Sequence, residues 1–212
     1  MRAARGWHLA TAAVSGASLL LQLVIILSRD NDTVLVRLVR LLSFFTIQSN
    51  IIVTVVAVTL FLRPDRDGSA WRIARLASLV CITVTGLVYV TVLRGLYELT
   101  PAGRVADTGL HYVTPALVVV GWVLFEPRPR IGVRTIALTL LFPALWLGYT
   151  LVRGELTDEY PYPFVDVNAE GYATVAVNCV LVTVLFLAVS GVYRLLDTRL
   201  SASAPARVGS TG

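Results

Sequence analysis

The sequence predicts an all-α polytopic membrane protein, a bundle of six transmembrane helices with both termini in the cytoplasm. Three observations predict it. Of the 212 residues, 56% are hydrophobic and only 15% are charged, against about 25% charged in an ordinary soluble chain. The apolar residues gather into six stretches near the length of about 20 residues that a helix needs to cross a bilayer. The arginines are distributed unevenly between the connecting segments.

The expected spans are about 7–27, 41–62, 73–93, 110–125, 136–152 and 172–192. Residues 1–200 form one domain in this reading. The first stretch follows Arg2 and Arg5 and could pass for a signal peptide. Its apolar part is long for that, and five more spans follow, so an uncleaved anchor fits better. The second and sixth spans carry no charge. The fourth and fifth are short enough to begin in the headgroup zone. Pro143 should bend the fifth span. The tail 201–212 is rich in Ser, Ala and Gly and is expected to be disordered.

With the N-terminus inside, the inner segments hold twelve arginines and the outer segments six. That excess favours cytoplasmic ends. All eighteen basic residues are Arg, which together with abundant Ala, Val and Leu suggests a GC-rich bacterial genome and hence a bacterial plasma membrane. The net charge of +5 is scattered among short loops, so nucleic-acid binding is not expected. Membrane lipids are the expected partners. His8 and His111 fall on opposite sides, and Cys81 and Cys179 lie inside apolar runs. No metal site or other cofactor is expected.

Polar residues inside a span must face protein or water. The second span contains Ser43-Phe44-Phe45-Thr46-Ile47-Gln48-Ser49-Asn50. On one continuous helix, at about 100° per residue, Ser43, Thr46, Asn50 and Thr54 share a narrow face that Ser49 borders. Thr46 would lie roughly 8 Å below the outer end of the span. This stripe reads either as packing glue between helices or as the wall of a cavity.

His111 begins the fourth span at similar depth, and Asp107 or Thr108 could cap that helix. Pro115 cannot bond to the carbonyl of His111, so a bend is expected there. Asp107 could orient His111 if the helix begins early. The outer loop Tyr160-Pro161-Tyr162-Pro163-Phe164 should be extended. Its aromatics would form either a lid or an interfacial anchor. Asn178 in the sixth span could join the polar cluster. No acid is expected deep in a span and no buried acid–base pair, which argues against ion-coupled transport. G-x-S-x-G, H-E-x-x-H and phosphate-binding loops are absent from the sequence.

Phe45-Thr46-Ile47-Gln48-Ser49-Asn50, His111 followed by Pro115, and Tyr160-Pro161-Tyr162-Pro163-Phe164 together resemble the bacterial Pr-six-Pr family of six-span membrane proteins. More distantly, the pattern is similar to the androgen-induced protein family, which includes the androgen-dependent TFPI-regulating protein. That resemblance implies an intramembrane hydrolase of fatty acid esters of hydroxy fatty acids. By position it assigns a threonine nucleophile to Thr46 and a histidine base to His111. Ser43, Ser49, Asn50, Asn178, Tyr160 and Tyr162 are then the substrate-binding candidates, with Asn50 or Asn178 donating to the oxyanion. The alternatives are a non-enzymatic binding or scaffolding protein and a passive small-solute transporter. One expected obstacle is that a helical Thr46 would bond to its own i−4 carbonyl, on Leu42.

Overall fold

The computed structural model describes residues 2–30, 32–96 and 98–202, with 201 and 202 as backbone only. Most of the expected tail, 203–212, therefore lies outside the described residues, while 201 and 202 continue the last helix. The described residues form nine α-helices, among them six segments long and apolar enough to cross a membrane. The protein is an all-α multi-pass membrane protein. An even number of crossings puts the start of the first span and the end of the last on the same face of the membrane.

The first span is α1 (Arg2–Leu27). An amphipathic helix, α2 (Val34–Ser43), follows. The second span, α3 (Phe45–Leu62), starts only after Phe44, whose backbone is extended at ψ 126°. The expected continuous span from Leu41 is thus two helices. The break changes which residues share a face, because Ser43 now belongs to α2.

The third span is α4 (Ser69–Val88), which finishes in a π-helical turn over Tyr89–Leu93. The fourth comprises α5 (Pro101–Thr108), a π-helical turn over Gly109–Val113, and α6 (Thr114–Phe125). Thr100 caps it by accepting from the Gly103 amide, so neither Asp107 nor Thr108 is the cap. The fifth span is interrupted at Leu140, between α7 (Val133–Thr139) and α8 (Leu141–Thr157). That break falls just ahead of Pro143, where a bend is expected. Neither the fourth nor the fifth span is short: each covers 25 residues. The sixth, α9 (Val167–Ala202), has a non-helical break at Gly171.

The centre of the bundle is α4, where Leu76, Leu79, Val80, Cys81 and Ile82 are fully buried. It packs against α3, α6, α7 and α9, and α1 covers α3 and the fourth span. Small residues permit these approaches. A Cβ at Gly121 would come 2.7 Å from Trp7 Nε1, and one at Gly109 only 1.9 Å from Ser18 Oγ. On the outside, Leu20, Leu145 and Leu156 are widely exposed, as befits side chains that meet lipid.

The end of the bundle where the fourth span finishes holds an ion pair that hydropathy conceals. Arg75 Nε lies 2.9 Å from Glu126 Oε1, and both side chains are nearly buried. The buried carboxylate of Asp197 accepts from the amides of Arg130 and Ile131 at 2.7 and 2.8 Å. The expectation that no acid–base pair is buried is therefore overturned. Glu126 lies one residue beyond the predicted fourth span and Asp107 three residues before it.

Candidate functional site

The break at Phe44 is what leaves the Thr46 hydroxyl without an acceptor in its own helix. A helix cannot satisfy its first amides internally. In α3 the Thr46 amide finds a remote acceptor, donating to the Tyr162 hydroxyl at 3.1 Å. Because the helix starts at Phe45, the i−4 carbonyl of Thr46, on Leu42, belongs to the preceding helix and not to its own. The Leu42 carbonyl instead accepts from Gln48 Nε2 at 2.7 Å. Thr46 Oγ1 lies 3.2 Å from His111 Nε2 and 3.2 Å from the Tyr162 hydroxyl.

His111 stands on the π-helical turn of the fourth span. The wide turn bonds the Thr114 amide to the Gly109 carbonyl. The corresponding donor for Leu110 would be Pro115, which has no N–H. Asn50 Nδ2 reaches that Leu110 carbonyl at 3.4 Å and the Thr46 carbonyl at 2.9 Å. One amide thus braces the segments carrying Thr46 and His111 against each other.

The other face of the imidazole is equally occupied. His111 Nδ1 lies 2.9 Å from Asp107 Oδ1, and the Tyr89 hydroxyl donates to Asp107 Oδ2 at 2.5 Å. The helix does begin early enough for Asp107 to orient His111. The Tyr89 ring also stacks on the imidazole. A carboxylate only accepts, so Nδ1 carries a hydrogen, and in the neutral imidazole with that tautomer Nε2 is the acceptor. Thr46 then donates to Nε2. The Tyr162 hydroxyl accepts from the Thr46 amide and donates to Thr46 Oγ1.

The remaining sequence candidates separate from this pair. Ser43 Oγ bonds to the Val39 carbonyl and to the Tyr149 hydroxyl, while its own carbonyl accepts from Trp146 Nε1. Ser49 is buried and accepts from Thr85. Asn50 is committed to backbone carbonyls and accepts from Ser15. Asn178 donates to the Phe164 carbonyl at 2.9 Å. Asn50 and Asn178 are therefore not placed as oxyanion donors. The stripe is divided: Ser49, Asn50 and Thr54 join helices, whereas Thr46 faces a cavity.

The aromatic-proline loop is neither a free lid nor an interfacial anchor at Tyr162, which is buried between Phe44, Trp146 and Phe164. Pro163–Val165 forms a 3-10 turn instead of continuing extended. Tyr160 lies apart from the pair, against Gly154, where a Cβ would come 2.0 Å from its ring. Ion pairs fasten the loop outside: Arg40 binds Asp32 and Glu159, and Arg153 Nη2 holds Glu159 Oε2 at 2.6 Å. Arg40, with further help from Arg153, holds the Glu159 carboxyl at about 2.

Two cavities meet at Thr46. One, of about 610 Å³, is lined by Thr46, His111, Asp107 and Tyr162, with Arg29 and Glu98 also on its walls. The other, of about 400 Å³, lies toward α8 and α9 and is lined almost wholly by apolar side chains. Thr46, Leu93 and Tyr162 belong to both. No group of His, Cys, Asp and Glu suited to a metal ion occurs among the described residues. No family model matches the sequence, and neither a curated protein nor a solved structure matches it. Tyr89 is the site residue that sequence reasoning missed, and nothing in the uncharged stretch around it signals a role.

Proposed function

We propose that the protein is an intramembrane hydrolase of lipid esters, with Thr46 as nucleophile and His111 as general base, in the plasma membrane of a bacterium. The observation that carries this reading is the unbroken chain Tyr162–Thr46–His111–Asp107–Tyr89 on the wall of a cavity. A threonine hydroxyl is a weak nucleophile until an adjacent base accepts its proton. Here the base is in reach, and a third group orients it, which is the general logic of nucleophile activation. The resemblance to the androgen-induced family, carried by the same Thr46 and His111, points the same way.

In the first step Thr46 Oγ attacks the ester carbonyl carbon as its proton passes to His111 Nε2. Asp107 stabilises the imidazolium through Nδ1–H. The tetrahedral oxyanion takes the hydrogen bond of the Tyr162 hydroxyl, which lies close enough to Oγ to follow it. Collapse breaks the bond to the alcohol oxygen, which leaves with the proton from Nε2. Water, deprotonated by His111, then attacks the acyl-threonine. Collapse of that second intermediate restores the threonine hydroxyl and frees the fatty acid.

The test uses the full chain in lipid nanodiscs with 4-nitrophenyl palmitate. Thr46→Ala and His111→Ala should each remove turnover, and an alkyl fluorophosphonate should label Thr46 in the unaltered protein. Undiminished turnover by folded Thr46→Ala would sink the proposal.

A further inference from the structure

We infer that the apolar cavity beside Thr46 is the compartment for the acyl chain of the ester, and that the alcohol portion occupies the cavity containing His111. This rests on the hydrolase reading. An ester carbonyl held at Thr46 Oγ carries two substituents, and two cavities adjoin Thr46. The chemistry decides which substituent goes where. The leaving alcohol oxygen must receive its proton from His111 Nε2, so the alcohol lies on the imidazole side. His111 lines only the larger cavity. The acyl arm, pointing the other way from the same carbon, is left with the second cavity.

The walls agree with that division. The larger cavity includes Arg29, Glu98 and Asp107, which suit an alcohol with polar substituents. No charged side chain lines the smaller one. Its Thr183 hydroxyl is spent on the Cys179 carbonyl, and its Thr85 hydroxyl on Ser49. A polar substituent there would lose its water without gaining a partner, whereas an alkyl chain would lose nothing. The volume, about 400 Å³, falls in the range of small-molecule sites, roughly 300–1,000 Å³.

Gly148 supplies the means of testing. It lines the apolar cavity on α8, and a Cβ built on it meets no atom within 4 Å. Gly148→Phe should therefore plug the compartment, with Gly148→Leu as a smaller plug should the first variant misfold. Leu145→Phe, at a widely exposed site on the same helix, is the control. The full chain in liposomes is irradiated with a palmitic acid analogue carrying a mid-chain diazirine, and the modified residues are located by mass spectrometry.

Cross-links should fall on Leu147, Val182 and Phe186. They should decline about tenfold in a Gly148 variant, the scale on which lost pocket room discriminates ligands. They should persist in Leu145→Phe and in Thr46→Ala. Cross-links spread over lipid-facing Leu145, Val180 and Leu181, or undiminished in both Gly148 variants, overturn the assignment. Should Thr46→Ala keep its esterase activity while the cavity cross-links hold, the hydrolase reading falls and the cavity stands as an alkyl-chain site.

Discussion

The ring of Tyr89 lies on the imidazole of His111 with centroids 3.9 Å apart and planes 16° apart, while its hydroxyl holds the carboxylate that orients the same histidine. Asp107 is thus a positioning residue with a second residue behind it. Asp107→Asn places an amide where a carboxylate was, and an amide N–H facing Nδ1 favours the wrong tautomer. We expect kcat to fall by about 10³–10⁴ with KM little changed. Tyr89→Phe keeps the stack and loses one hydrogen bond, so its loss should stay within about tenfold. Steady-state kinetics on both variants checks the order.

Tyr162 serves two ends at once. Its hydroxyl accepts from the Thr46 amide at the start of α3 and touches Thr46 Oγ1. Tyr162→Phe should cost about 1–2 kcal/mol of stability for the orphaned amide and lower kcat by about 10²–10³. Thermal melting and turnover on the same preparation separate the two effects. A normal kcat in a destabilised variant would leave Tyr162 a helix cap only.

The contact between Gly109 and Ser18 should behave as a matched pair. A Cβ at residue 109 meets Ser18 Oγ at 1.9 Å and Ser18 Cβ at 3.0 Å. Gly109→Ala should therefore destabilise by about 1–3 kcal/mol through overpacking. Adding Ser18→Gly removes both colliding atoms and should restore most of the loss. The readout is the melting temperature of the single and double variants in one detergent.

Acid should loosen the outer loop in a defined window. The Glu159 carboxyl is held at about 2, well below its ordinary 4.5, chiefly by Arg40. Its contribution is complete above about 4.5 and is lost as pH falls toward about 2. Because the participants are partly exposed, the effect should be small. Melting curves of the unaltered protein should drop over that interval. Glu159→Gln should start lower at neutral pH and drop less.

Much of this architecture could be read in advance because lipid enforces it. A helix crossing hydrocarbon must be long and apolar, and the six predicted spans all appear. Interruptions were harder to see. Hydropathy runs unbroken from Leu41 to Leu62, so nothing marked the extended residue Phe44, and a single helical projection wrongly set Ser43 beside Thr46. Asp107 and Glu126 lower local hydropathy, and the predicted span stopped short of both. Burying them requires partners from elsewhere in the sequence or fold, which a hydropathy window does not contain. Thr46 and His111 could be set at like depth by counting residues. Their 3.2 Å separation depends on helix rotation and on a π-helical turn that one sequence does not announce. Tyr89 reaches the site through that same packing.

The break at Phe44 also works as a ruler. The helix before it carries Arg37 and Arg40 on one side and exposed Val34, Leu35 and Val39, the make-up of a segment that floats along a membrane surface. Thr46 follows three residues after that helix ends, across the extended Phe44. The hydroxyl is therefore tied to whatever surface holds the amphipathic helix, and a shift of that helix would carry Thr46 with it.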